Sequence, residues 1–238
     1  MFKRNLLLIS TLLLLTTGCG SSATAPKQDR STTGIKSKFF IDSACDVIID
    51  KEFLEICYDN QLKAARGVSY TLAGDLVNEE NIKDRPYFYA EESIDEAYRA
   101  YYSDYTNSGY DRGHLAPDAD FDYNNEDLRL IYTFANIIPQ DPNVNRYFWI
   151  KAEYQERLVA STLGELMVIN GVEFADTPDR IGSHNIAVPK GFWKILWNDD
   201  KNFRQCYYYD NFVLGDADLD SLDKHRVECN KLIVDAQN

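Results

Sequence analysis

The sequence predicts an α+β domain, and three observations carry that expectation. Short alternating or apolar runs read as strands at Val68–Leu72, Leu166–Gly171, Asn185–Val188, Phe192–Trp197 and Cys206–Leu214. Segments with helical spacing stand between or after them, at Ser93–Tyr102, from Asp141 to about Leu158, and at Asp216–Ile233. The length of 238 residues suits one sizeable domain after a leader is removed.

The chain opens like an export signal. Lys3 and Arg4 supply the basic start, and Leu6 to Leu15 supply an apolar run too short to be a membrane span. Thr16-Thr17-Gly18-Cys19 is the expected processing site. Cys19 follows small residues where a lipobox places the acylated cysteine, although Thr16 stands where leucine is usual. Residues 1–19 are therefore expected to be a signal peptide with a lipobox-like end, an ordinary cleaved secretory signal being the alternative. Residues 20–38, polar and poor in aromatics, read as a flexible tether, and residues 39–238 as a single domain. The expected location is the cell envelope, periplasmic or held to a membrane only by a lipid on Cys19, or else the exterior.

Without Cys19, the chain keeps Cys45, Cys57, Cys206 and Cys229, an even number in an exported protein. Two disulfides are expected, with the local pairs Cys45–Cys57 and Cys206–Cys229 favoured because each closes a short loop. A zinc site is the weaker competitor, since there is no C-x-x-C and only His225 lies near a cysteine.

Within the domain, Val68–Leu72 is followed by a turn at Gly74-Asp75 and a loop-like segment to Arg85-Pro86. Ser93, early acids and Ile94, Ala97, Tyr98 and Tyr101 predict a short helix. Turn formers fill Thr106–Asp111, and Leu128–Ile138 reads as a strand ending at Pro139. Asp141-Pro142-Asn143 starts a helix with Asn145, Trp149, Ala152 and Glu153 on one face. The closing helix is expected to turn Leu219, Leu222, Cys229 and Leu232 inward. The order in the middle of the chain, loop and strand, strand, helix, is a ββα unit that can gather groups around one ion.

The formal charge is −13, and loss of Lys3 and Arg4 leaves 23 basic against 38 acidic residues, or −15. That balance excludes a protein that coats nucleic acid by charge alone. An enzyme acting on a polyanion would need a bound cation or a local patch such as Lys83, Arg85, Arg112, Arg146 and Lys151.

Asp111-Arg112-Gly113-His114 sets a carboxylate, a guanidinium and an imidazole side by side in a chain with three histidines. A histidine with an ordinary pKa of about 6.5 can take a proton from water near neutrality, and arginine can grip phosphate oxygens in a bidentate way. Taken alone, these residues could equally form a salt-bridged turn with His114 filling a polar gap. Asn145, in a first helical turn, offers a hard neutral oxygen suited to Mg²⁺ and stands near the positive end of the helix dipole, although asparagine there can also simply cap. Glu153 lies two turns along the same face, roughly 12 Å up an α-helix. It is thus too far to share the inner coordination sphere easily, and could act on metal water or pair with Arg157 as a surface glutamate.

Four segments together resemble the DNA/RNA non-specific endonucleases of the ββα-metal superfamily. They are Asp111-Arg112-Gly113-His114 with Leu115-Ala116-Pro117; Asn136-Ile137-Ile138-Pro139-Gln140; Asn145 with Trp149 and Glu153; and Val188-Pro189-Lys190-Gly191-Phe192-Trp193-Lys194. The resemblance implies a ββα-metal nuclease fold, a central antiparallel sheet flanked by helices. It implies His114 as general base, Asn145 as the protein ligand of Mg²⁺ with Mn²⁺ a possible substitute, and Glu153 as an acid near the metal water. Arg112 would touch phosphate or support the site, Arg85 would stabilise developing charge, and Asn136 would shape the site. DNA and RNA are the implied substrates and 5′-phosphate ends the implied products.

Other residues read as structure. His184 is expected to be structural, His225 to lie on the surface, and Tyr207-Tyr208-Tyr209 to pack in the core by strand alternation rather than to stack on bases. A non-catalytic envelope lipoprotein that keeps the fold as a binding module is the alternative function. A cysteine hydrolase using Cys206 or Cys229 with His225 is a third, and it requires a free thiol. Oligomeric state, a homodimer included, and any inhibitor protein are left open.

Overall fold

The computed structural model describes residues 45–212, 215–230 and 232. The expected leader and tether, with Cys19, lie outside the described residues. Six strands form an antiparallel sheet: β1 (Val47–Asp50), β2 (Leu54–Asp59), β3 (Ala64–Ala73), β6 (Glu165–Glu173), β9 (Gly191–Asn198) and β10 (Phe203–Asp210), side by side in that order. Two short ribbons stand apart, β4 (Asp111–His114) with β5 (Ile137–Gln140), and β7 (Arg180–Ile181) with β8 (Ile186–Ala187). The fold is α+β with a central antiparallel sheet, as expected.

The inner strands are buried on both faces, which is why β6 and β9 read as apolar runs rather than clean alternations. On one face, helix α3 (Ile150–Leu163) lays Ala152, Val159 and Ala160 into the main core. On the other, Ile169, Trp193 and Ile195 pack with Cys57, Cys206 and Leu232. Both favoured disulfides are present, Cys45–Cys57 and Cys206–Cys229. No thiol at Cys206 or Cys229 is then left for a cysteine hydrolase. Gly164, with φ +89°, ends α3 by a left-handed turn in which its N–H bonds the Ala160 carbonyl at 2.9 Å.

Several expected elements take another form. Ser93–Tyr102 holds only a 3₁₀ turn, Glu96–Tyr98, before the one-turn helix α1 (Tyr102–Tyr105). Arg99 is extended there, and its guanidinium takes the carbonyls of Ile94 at 2.7 Å and Glu92 at 3.0 Å that a continuing helix would have used. The apolar run Leu128–Ile138 is not one strand. Asn124 caps helix α2 (Asn125–Leu130) by accepting from the Asp127 N–H at 2.8 Å, Thr133 caps a 3₁₀ turn at Phe134–Asn136, and only the end becomes β5. A short buried apolar run carries no periodicity to separate these outcomes.

Most of the expected closing helix is also replaced among the described residues, which are helical only at Cys229, Asn230 and Leu232. Asp216 caps a 3₁₀ turn at Ala217–Leu219, a second runs Leu222–His225, and Arg226 then pairs with Tyr207 along the edge of β10. The Val227 N–H bonds the Cys206 carbonyl at 2.9 Å, so the sheet edge and the neighbouring Cys206–Cys229 bond hold Arg226 and Val227 extended. Leu219 is 74 % exposed, against the expected inward face. Leu214 and Ile233, the ends of two expected elements, lie outside the described residues. Tyr207 and Tyr209 are fully buried and Tyr208 is half-buried, the expected alternation.

Candidate active site

The ββα unit is formed by β4, β5 and the helix that follows them. Across the ribbon Gly113 pairs with Ile138 and His114 with Ile137. A Cβ on Gly113 would stand 2.1 Å from the Gln140 Oε1, so only glycine lets the two strands close. Asp141 then starts the helix by accepting from the Asn143 N–H at 2.8 Å. Its first turns are not α-helical, since Val144–Trp149 is a wider π-type turn that passes into α3 at Ile150. Such turns recur at functional positions, and Asn145 sits in this one.

His114 ends β4 with its ring between Phe88, centroid 5.5 Å away, and Tyr132, edge-on at 4.9 Å. Its Nε2 is buried and has no hydrogen-bond partner among the described residues. Burial pushes its pKa down to about 4, with the nearby Arg85 acting in the same direction and Asp118 against it. The imidazole is neutral at physiological pH.

The Arg112 guanidinium lies over Tyr102 at 4.3 Å and over Phe88 at 5.5 Å. Among the described residues no hydrogen bond or ion pair engages its guanidinium. Other cations are taken. Arg85 donates from Nη2 to Asp122 at 3.0 Å, contacts Asp118 through Nε at 3.0 Å and donates from Nη1 to the Ile82 carbonyl. Arg146 is bidentate on Asp111 at 2.8 and 2.7 Å, and Lys151 is held by Asp220 at 3.1 Å. Three of the five cations of the expected patch, Arg85, Arg146 and Lys151, are therefore neutralised, and among the described residues Arg112 is the cation beside His114 that keeps its donors.

Asp111 clamps the metal-ligand candidate. Its Oδ2 accepts from the Asn145 Nδ2 at 3.0 Å. With the amide nitrogen so occupied, the carboxamide oxygen is the end of Asn145 left to bind an ion. The donor set, one neutral oxygen beside a carboxylate, fits a hard divalent cation.

Asn136 is fully buried and shapes the site without touching solvent. Its Oδ1 accepts from the Ala116 N–H at 2.9 Å, while Nδ2 donates to the carbonyls of Ala116 at 3.0 Å and Ile131 at 2.9 Å. Glu153 does not form the surface pair with Arg157 that spacing allowed, because Arg157 Nη1 donates to Asp120 at 2.9 Å. Burial raises the Glu153 carboxyl to about 7; Glu156 and Asp118 add to the rise, and Lys194 and Arg157 oppose it.

Behind Glu153 lies a buried polar network with no separate sequence signal. Lys194, from the last quoted segment, is fully buried on Glu156. Tyr70 donates to Glu156 at 3.2 Å, and Asn170 Nδ2 reaches both the Tyr70 hydroxyl at 3.0 Å and the Leu115 carbonyl at 2.6 Å. The network thus ends on the residue after His114. Asn211 makes a similar tie from the other side, accepting from the Asp141 N–H at 2.8 Å and donating to the carbonyls of Pro139 at 3.1 Å and Pro189 at 3.0 Å.

The remaining histidines differ from each other. His184 bonds the buried Asp104 at 2.8 Å through Nδ1, the expected structural role. His225 is not a free surface residue: its ring stacks on Tyr209 with centroids 3.8 Å apart, and Nε2 meets Asp220 at 2.9 Å.

Comparison with known proteins places the chain in a family. A family model described as DNA/RNA non-specific endonuclease matches residues 31–234. The mitochondrial Endonuclease G of Bos taurus is 27 % identical over 151 residues, 59 % of this chain and 50 % of that protein. Nuclease C1 of Cunninghamella echinulata var. echinulata is 25 % identical over 188 residues, 73 % of each chain. A solved structure of an EndoG/EndoGI complex, described as showing the mechanism of EndoG inhibition, matches with a TM-score of 0.71 at 23 % identity, over 79 % of this chain and 83 % of that one. The chain spans about half the length of the mammalian relatives it matches.

Proposed function

Because the chain belongs to the DNA/RNA non-specific endonuclease family, we propose that it hydrolyses phosphodiester bonds of DNA and RNA within the strand, with little sequence preference and with 5′-phosphate products. The observation that carries the reading is His114: a neutral imidazole, clamped by two rings, with no partner on Nε2 among the described residues. That is a base awaiting a proton.

Asn145 would hold Mg²⁺, or Mn²⁺ in its place, by the carboxamide oxygen that Asp111 leaves free. The ion, when bound, supplies stabilisation of the charge that builds on phosphorus and on the leaving 3′ oxygen. His114 removes a proton from a water in line with the phosphorus. Arg112, without an ion pair among the described residues, receives a non-bridging oxygen of the phosphate. Arg85, fixed by Asp118 and Asp122, lies close enough to help keep His114 neutral and is assigned to holding that side of the site.

Glu153 stands at the opposite end of the proton ledger. Its protonated form persists to about pH 7, whereas His114 is free of its proton above about 4, the reverse of their order in water. Base and acid are thereby separated by environment rather than by residue type. Asn136 and Asn170 position the chain that carries His114 by holding Ala116 and Leu115.

A binding module without catalysis is disfavoured by the retention of His114, Asn145 and Glu153 together with the clamps that aim them. We further propose an exported, envelope-held protein anchored through Cys19 and, by analogy with the EndoG/EndoGI complex, an inhibitor protein as a partner. The test of activity is incubation of the purified protein with plasmid DNA and with RNA across a divalent-metal panel. Cleavage of both that chelator abolishes and Mg²⁺ restores is expected; cleavage indifferent to chelator would overturn the metal assignment, and none under any condition the whole reading.

A further inference from the structure

The cations around His114 are mostly spent on protein carboxylates. Arg85, Arg146, Lys151, Arg157 and Lys194 are each paired with Asp or Glu, in a chain of formal charge −13. Such a surface cannot hold a polyanion by charge alone, so part of the grip on substrate must come from contact of another kind.

Next to the unpaired Arg112 lies Tyr102, the first residue of α1, 55 % exposed despite its size. One face of its ring is covered by the Arg112 guanidinium at 4.3 Å. From Tyr102 the stack continues through Arg112 to Phe88 and then to His114, each step 5.5 Å or less. An exposed π surface therefore stands one side chain away from the cation proposed to hold the phosphate.

We propose that Tyr102 is the stacking platform for one unpaired nucleobase of the strand whose phosphate Arg112 holds, so that single-stranded nucleic acid is gripped more tightly than duplex. A base within a duplex already has both faces stacked and cannot turn onto the ring without being pulled from its pair. A base in a single strand offers a free face, and stacking on an aromatic side chain tolerates any base identity, as a non-specific enzyme needs. Arg112 beneath the ring adds a cation–π contact that keeps the platform flat.

The inference rests on the nuclease reading of the same site, and a binding experiment separates the two. In the His114→Ala background, single strands of about twelve nucleotides carrying 2-aminopurine, and hairpin duplexes of the same sequence, are titrated with Mg²⁺ present. With Tyr102 intact, or as Tyr102→Phe, the fluorescence is expected to fall on binding. With Tyr102→Ala, whose thermal unfolding is checked alongside, that fall disappears and the single-strand Kd rises roughly tenfold, while the duplex Kd rises less than about threefold.

Retained quenching in Tyr102→Ala, or equal weakening of single strand and duplex, overturns the platform even if the enzyme cleaves both. Loss of quenching in Tyr102→Phe overturns it as well. Binding of no nucleic acid by any variant, together with no cleavage by the unmodified protein, removes the nuclease reading itself.

Discussion

The Nδ2 of Asn145 donates to the Oδ2 of Asp111 at 3.0 Å, across the join between β4 and the helix that follows β5. This bond decides which end of the carboxamide faces the ion. Asp111→Ala is expected to weaken Mg²⁺ roughly 10–100-fold, the usual cost of losing a group that orients a ligand. Magnesium titration of the cleavage rate reads it directly. An unchanged half-saturating Mg²⁺ concentration would remove Asp111 from this role.

His114→Ala should lose roughly 10²–10⁴-fold in rate, the range supplied by a positioned base, with circular dichroism unchanged. Because burial places the His114 pKa at about 4, the base limb of the pH–rate profile should lie near pH 4 rather than at the ordinary 6.5. A limb centred at 6–7 that vanishes in the variant would contradict the burial argument.

Stability against pH gives an independent check. The folded pKa of His114, about 4, is below its unfolded value of 6.5, so the unfolded chain binds more protons between them and stability falls as pH drops through that window. Glu153, raised from 4.5 to about 7, does the opposite, losing stability as pH rises from 4.5 to 7. The two slopes oppose one another between about pH 4.5 and 6.5. Relative to the parent protein, Glu153→Gln should therefore gain stability with rising pH through this window, and His114→Ala should lose it. Parallel denaturant titrations showing the same slope in all three proteins would refute both shifts.

The Lys194–Glu156 pair is fully buried, so removing one partner leaves a charge without compensation. Lys194→Ala should cost about 3–5 kcal/mol, whereas joint replacement of both residues by apolar ones of similar volume should cost much less. Urea midpoints of the two variants test the difference. Equal losses would mean that packing rather than charge governs the site.

Reduction of the Cys206–Cys229 bond should lower stability by about 2–4 kcal/mol, as expected for a crosslink spanning 23 residues. The Tyr207–Arg226 pairing depends on the same closure. Hydrogen exchange of the Val227 amide, bonded to the Cys206 carbonyl, should rise on reduction; full protection would show that the sheet edge holds the segment unaided.

The sequence made His114, Arg112 and Asn145 legible because the ββα unit keeps them close in the chain, and chemistry requires those side chains. The disulfides were legible for a related reason, each closing a local loop. Asn170 and Tyr70 were not, since they meet across 100 residues and look like ordinary strand positions until β3 and β6 lie side by side. Asn211 was silent likewise, its bond to Asp141 spanning 70 residues. Helix periodicity misled at Leu219, where a sheet edge and a disulfide overrode local preference. The strand reading failed at Leu128–Ile138, where burial erased the pattern that separates helix from strand.

The wide turn at Val144–Trp149 makes the separation of Asn145 and Glu153 a matter of chain count as well as residue type. Each residue removed or added between them would swing one around the helix axis by about 100° relative to the other. A one-residue deletion at the exposed Tyr147 would keep every named side chain, yet turn Asn145 by about 100° relative to Glu153. The site is thus written partly as a length, and substitution scans alone would pass over it.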